Sequence, residues 1–208
     1  MKLLHIIATP RENKSRTLKV SNSFLEALKI KHTDLEIDEL NLFTDPPPPL
    51  TVKQLDGKYI LLGGKDLPAE LKDEWANIIK TIGRFLSANL YVVSTPMWNF
   101  SIPYALKHYI DIILQPKFLF QYTDKGPEGL AKNKKMLVVT SRGGDYSEGS
   151  PFQSYDFQEP YLRAVFGFAG ITDISFINAQ PMDAGGPDLG KSKLEEAISK
   201  AKEVAETF

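Results

Sequence analysis

Five short strand-like segments recur along the chain: "KLLHIIA", "LEIDEL", "NLYVVS", "KKMLVVTS" and "DISFINA". Between them lie loops and stretches with apolar residues at helical spacing. Such a helix is expected from about Arg16 to Lys31, where Leu18, Phe24 and Leu28 repeat near 3.6 residues. Further helical patterns run from about Val52 to Leu86, then through "YALKHYIDIIL" with Pro103 at its first position, and finally through "KSKLEEAISKAKEVAETF". The segment "FTDPPPPLT" fits neither element, because its four prolines lack amide donors and favour polyproline geometry, so it is expected to be a linker within one domain. Regular alternation of strand and helix predicts an α/β architecture, a parallel sheet covered by helices on both faces.

With five strands, the natural arrangement is the flavodoxin-like order 2-1-3-4-5, over residues 1–208 as a single domain. In such sheets ligands bind beyond the carboxyl ends of the strands, where the strand order reverses. That point falls between strands one and three. The loops "TPRENKSRT", "STPMWNFS" and "SRGGDYSEGS", following strands one, three and four, are therefore expected to open on one edge.

Each loop suggests a contact. Thr9, Ser15 and Thr17 stand beside a helix start, where free amides and the helix dipole favour an anion such as phosphate, and Arg11, Lys14 and Arg16 add positive charge. Serine at that position also serves simply as a helix cap. "TPMWNF" sets Met97, Trp98 and Phe100 around Asn99, an apolar patch with one amide, which suits a planar heteroaromatic ring, although aromatics near a strand end more often serve as core or subunit contacts. "SRGG" lets backbone approach a ligand closely, or forms a turn. Together the three loops fit a mononucleotide.

Composition narrows the alternatives. The chain has no cysteine, so disulfides, thiolate nucleophiles and dithiol redox couples are excluded, and redox chemistry would need a bound cofactor. A formal net charge of −1 favours neither nucleic acid nor an anionic membrane as a partner. No Walker loop, G-x-G-x-x-G, G-x-S-x-G or H-E-x-x-H occurs, and His5, His32 and His108 are scattered over different elements, so all three read as structural with no metal site. The N-terminal "MKLLHII" is too short for a signal sequence or membrane span, so a soluble cytoplasmic protein is expected.

The stretches "TPMWNFSIPYALKHYID" and "FLFQYTDKGPEGLAKNKKMLVVTSRGG", with their flanks through "YLRAVFGFAGITDISFI", resemble the FMN-dependent NADH azoreductases, flavodoxin-like quinone reductases. The resemblance implies FMN as cofactor and NADH or NADPH as co-substrate. It implies Thr9, Ser15, Arg16 and Thr17 at the phosphate; Pro96, Met97, Trp98, Asn99 and Phe100 along the isoalloxazine; and Ser141, Arg142, Gly143 and Gly144 near its pyrimidine end. It further implies ping-pong hydride transfer to quinones and azo compounds, no catalytic side chain beyond the flavin, and a homodimer with the flavin near the interface. Thr9 stands where many members carry serine, and Trp98 where several carry tyrosine. The helix after the aromatic loop carries Leu106, Tyr109, Ile110 and Ile113 beside a row of Tyr104, His108 and Asp111, so part of its apolar surface is expected to meet a second subunit. The competing reading is a flavodoxin-like FMN electron carrier, which the nearly neutral charge disfavours, since carriers hold acidic surfaces to steer protein partners.

Overall fold

The computed structural model describes residues 1–208. Strands β1 (Lys2–Ile7), β2 (Glu36–Asn41), β3 (Leu90–Ser94), β6 (Lys135–Ser141) and β7 (Asp173–Ala179) form one sheet in the order β2-β1-β3-β6-β7. Every pairing in it is parallel. Counting only these strands, the order is the expected 2-1-3-4-5. Two additional strands, β4 (Phe120–Thr123) and β5 (Gly126–Gly129), make a separate antiparallel hairpin. Sequence periodicity missed them because four-residue strands rich in polar residues and glycine carry no alternation to detect. The hairpin is anchored by Phe120, whose ring lies 4.8 Å from that of Phe168.

Alternation along the strands assigns the two faces. Leu3, Val92, Leu137 and Val139 point to one face, against Val20, Phe24 and Leu28 of α1 (Arg16–Lys31) and Ala197, Ala201 and Ala205 of α6 (Pro187–Thr207). The alanines recur every four residues, so α6 presents a flat stripe to its neighbours. Leu4, Ile6, Tyr91, Val93, Met136 and Val138 point to the other face, against α3 (Ala69–Leu86), α4 (Tyr104–Ile113) and α5 (Glu159–Phe168). Burying a side chain such as Phe24 contributes roughly 1.5–3 kcal/mol.

The helical stretch expected from Val52 to Leu86 is two helices, α2 (Val52–Leu62) and α3, broken at "GGKDLP". Thr51 and Gln54 form a reciprocal capping box at the start of α2. Pro103 precedes α4 as its cap rather than entering its first turn. Along α4, Leu106, Tyr109, Ile110 and Ile113 are all buried within the chain, so that row is spent on the core and leaves nothing for a second subunit. The exposed aromatic on this helix is Tyr104. No helix is long and apolar enough to cross a membrane.

Candidate flavin site

The carboxyl ends of β1, β3, β6 and β7 open on one edge, and a cavity of about 190 Å³ lies there. Its walls bring together Thr9, Arg11, Ser15, Arg16 and Thr17 from the first loop, Pro96, Met97 and Trp98 from the second, and Ser141, Arg142 and Gly143 from the third. Met182 and Asp183, from the loop after β7, complete it. No motif in the sequence marks these two, although their position after the fifth strand of the sheet places them on the same edge by topology alone. A larger cavity of about 360 Å³, under the tetraproline segment, is lined by Asp45, Pro46, Pro47, Pro48 and Arg84 among others and shares no residue with this edge.

The first loop sets unbonded amides and buried hydroxyls at a helix start. Ser15 caps α1, its Oγ accepting from the Leu18 N–H at 3.2 Å, so the simple structural reading of this serine holds. The amides of Arg16 and Thr17 precede the first intrahelical bond and have no acceptor in the protein. Thr9, Ser15 and Thr17 are buried hydroxyl residues, and Thr17 Oγ1 lies 2.7 Å from Ser141 Oγ, which joins the first loop to the end of β6. The Arg16 guanidinium donates to Asp183 Oδ1 at 2.7 Å and to the Met182 carbonyl at 3.2 Å. Its charge is thus partly compensated, and the net attraction for an anion rests on the free amides and the helix dipole.

The second loop begins as a continuation of the ladder. Met97 N–H donates to the Ser141 carbonyl at 3.0 Å, after which the chain doubles back through paired bonds between Trp98 and Ser101 at 2.9 and 3.0 Å. At the tip, Asn99 and Phe100 have φ of 47° and 70°. Two consecutive non-glycine residues in the left-handed region cost on the order of 1–3 kcal/mol each, and such strain concentrates at functional sites. Both residues are exposed and lie outside the cavity wall. Phe100 packs at 5.4 Å from the Tyr155 ring and 6.4 Å from Tyr146, whereas Trp98 leans on Phe43 at 6.1 Å.

In the third loop, the backbone amides of Gly143 and Gly144 have no protein acceptor, as is true of Asn99 and Phe100. A Cβ on Gly143 would stand 3.0 Å from Asp183 Oδ2, so the backbone is closely approached here by the last loop. Gly144 itself lies outside the cavity wall. Arg142 departs most from its expected setting. Its guanidinium is 1% exposed and donates to Gln158 Oε1 at 3.1 Å and Asp156 Oδ2 at 2.9 Å. Burial pulls its pKa below the usual arginine value, and the neighbouring Asp156 and Glu159 carboxylates oppose that shift. Arg142 is thus held inside the protein, and only its main chain belongs with the glycines.

Free amides over a helix start, four hydroxyls, an aromatic loop and a second set of free amides on one sheet edge form a donor set that fits a phosphate joined to a flat, heteroatom-rich ring. Residues 1–205 match the family described as Flavodoxin-like fold. The FMN-dependent NADH:quinone oxidoreductase of Clostridium beijerinckii is 40% identical over 208 residues, covering 100% of this chain and 99% of the relative. Its counterpart in Nitratidesulfovibrio vulgaris is 35% identical over 206 residues and 99% of both chains. Among solved structures, the azoreductase of Bacillus anthracis strain Sterne superposes with a TM-score of 0.89 at 30% identity and 100% coverage of both chains. The FMN-dependent NADH-azoreductase of the Ames Ancestor strain, in complex with FMN, gives 0.83 at 30% identity over 99% of this chain and 100% of that one. With its sheet order, its convergent loops and these full-length likenesses, the chain belongs to the flavodoxin-like family of FMN-dependent NADH:quinone oxidoreductases and azoreductases.

Proposed function

We propose that the protein is an FMN-dependent NAD(P)H:quinone oxidoreductase that also cleaves aromatic azo bonds. The observation that carries this reading is the pairing of an anion cradle at the start of α1 with two loops of unbonded amides on the same edge. When bound, FMN supplies the redox chemistry, taking hydride from NADH or NADPH and passing the reducing equivalents to the acceptor. The chain supplies binding and orientation. Arg16 and Thr17 amides, with the Thr9 and Thr17 hydroxyls, hold the phosphate; Pro96 through Phe100 line the ring; Ser141, Gly143 and Gly144 serve its polar end, with donors able to stabilise developing negative charge.

The cavity is smaller than the roughly 300–1,000 Å³ of pockets that enclose a drug-sized ligand, so it encloses only part of FMN and leaves the rest of the ring region open. An open ring region gives donor and acceptor one platform to use in turn, with ping-pong kinetics, and leaves room for a second subunit. Exposed Phe100, Phe152, Tyr155 and Phe157 supply the aromatic surface for a homodimer in place of the α4 row. We place the protein in the cytoplasm as one FMN-binding domain.

The deciding experiment is the visible spectrum of the purified protein, followed by NADH oxidation with a simple quinone. Flavin absorption that survives desalting, with turnover in the absence of any protein partner, is expected. Colourless protein that takes up no added FMN overturns the reading; bound FMN without turnover replaces it with the electron carrier.

A further inference from the structure

We propose that Gln158, held by Arg142, is a positioning residue that fixes the spacing between the two loops flanking the flavin ring; the inference rests on the FMN reading above. Gln158 is completely buried and uses both ends of its amide. Its Oε1 accepts from Arg142 Nε at 3.1 Å, and its Nε2 donates to the carbonyls of Pro96 at 2.9 Å and Thr95 at 3.4 Å. Only one orientation of the amide satisfies a guanidinium donor on one side and two carbonyl acceptors on the other, so the side chain reads the two loops in a fixed sense.

The location gives this bridge its consequence. The backbone ladder between β3 and β6 ends where Met97 N–H meets the Ser141 carbonyl, and beyond it the two loops diverge. Gln158 stands behind that divergence and ties Thr95 and Pro96 to Arg142, the residue between Ser141 and Gly143. The same segment adds a second tie, since Phe157 N–H donates to the Phe100 carbonyl at 3.0 Å. Asp156 anchors the hub: Oδ2 accepts from Arg142, and Oδ1 accepts from the Gln158 and Glu159 amides at 2.9 and 3.1 Å, capping α5. Glu159 Oε2 in turn accepts from Asn178 Nδ2 at 2.8 Å, which ties the hub to β7. A helix cap needs only Asp156. A buried arginine from one ligand loop, bound to a buried glutamine that holds the other, exceeds that need, and burying the cation is costly unless its partners stay in place.

Gln158→Glu separates the two halves of the bridge. The carboxylate still accepts from Arg142 but cannot donate to Thr95 and Pro96. In the cofactor-free variant, hydrogen exchange at the Met97 and Trp98 amides is expected to quicken several-fold. In the loaded variant, FMN and riboflavin affinities should fall together, by about three- to tenfold for one or two neutral hydrogen bonds, leaving their ratio unchanged because the phosphate cradle is untouched. The midpoint potential and visible band shape of bound FMN should also shift. A lower melting temperature with wild-type exchange, affinity, spectrum and potential would reduce Gln158 to a structural residue and overturn the proposal. Should Gln158→Glu fail to fold, Arg142→Lys, which keeps the charge beside Asp156 but loses the Nε donor, is held to the same readouts. Wild-type protein that binds no FMN is the distinct failure of the underlying reading.

Discussion

At the scale of single residues, the hydroxyls of the first loop do two jobs at once. Ser15 caps α1 and faces the cavity, so Ser15→Ala should cost about 1 kcal/mol of stability in addition to any ligand contact. Thr17 is the cleaner probe, because its hydroxyl bonds Ser141 rather than a helix amide. Thr17→Ala is expected to lower FMN affinity on the order of ten- to a hundredfold, the worth of a hydrogen bond to a charged group, while riboflavin binding changes far less. Unchanged FMN titrations for both variants would remove the phosphate assignment. Away from the site, Arg84 donates to Asp38 at 2.7 and 3.2 Å and holds that carboxyl below its usual value. A depressed folded-state pKa means stabilisation that is present above the unfolded carboxyl's value, near 4, and is lost as pH falls through the lower folded value. Asp38→Asn should therefore cost on the order of 1–2 kcal/mol at neutral pH and flatten the acid limb of the melting curve. Parallel acid limbs for variant and wild type would contradict this account.

At the scale of elements, the α2–α3 crossing depends on a missing side chain. A Cβ on Gly57 would lie 2.2 Å from Trp75 Nε1 and 2.8 Å from Cε2, and Trp75 is fully buried. Gly57→Ala gains about 1 kcal/mol of helix propensity, but overpacking at so short a distance costs about 3 kcal/mol, so a net loss of about 2 kcal/mol is expected. Urea unfolding compared with Thr51→Ala, which removes the α2 cap at about 1 kcal/mol, gives the ranking. A stabilised Gly57→Ala would show that the indole moves freely. Neither glycine in the sequence nor a helical period signals this contact, since nothing local states which helix will cross at Gly57.

At the scale of the whole molecule, the proposed homodimer would cover the ring side of the site. With the α4 apolar row buried, the exposed aromatics of the loops and helix start around the site are Phe100, Tyr104, Phe152, Tyr155 and Phe157. Specific activity with NADH and quinone is expected to fall with dimer population on dilution, measured beside light scattering; a fully active monomer would refute a shared pocket. Initial rates at several NADH concentrations should give parallel double-reciprocal lines, and intersecting lines would reject one platform used in turn. Trp98→Tyr introduces a phenol beside the cavity and should change the relative kcat/KM of quinones and azo dyes more than it changes FMN affinity.

Much of this was determined by the sequence itself. Apolar runs in parallel strands and the 3.6-residue period of Arg16–Lys31 are local patterns, so the five strands of the sheet could be read directly, and their order and the edge on which loops gather followed from the fold rule for alternating strands and helices. The expected topology brought the loops carrying Thr9, Ser15, Thr17, Met97, Trp98 and Gly143 to one edge, and their residue types suggested what each could touch; the structure lines one cavity with all six. Tertiary structure decided what depends on partners distant in the chain. Arg142, implied near the pyrimidine end of the ring, turns its guanidinium inward against Asp156 and Gln158; Arg16 meets Asp183, 167 residues away; and the α4 apolar row closes on the core rather than on a second chain. A charged side chain several bonds long can turn toward solvent, ligand or protein, and only the positions of its partners, set by packing of the whole sheet, select among them.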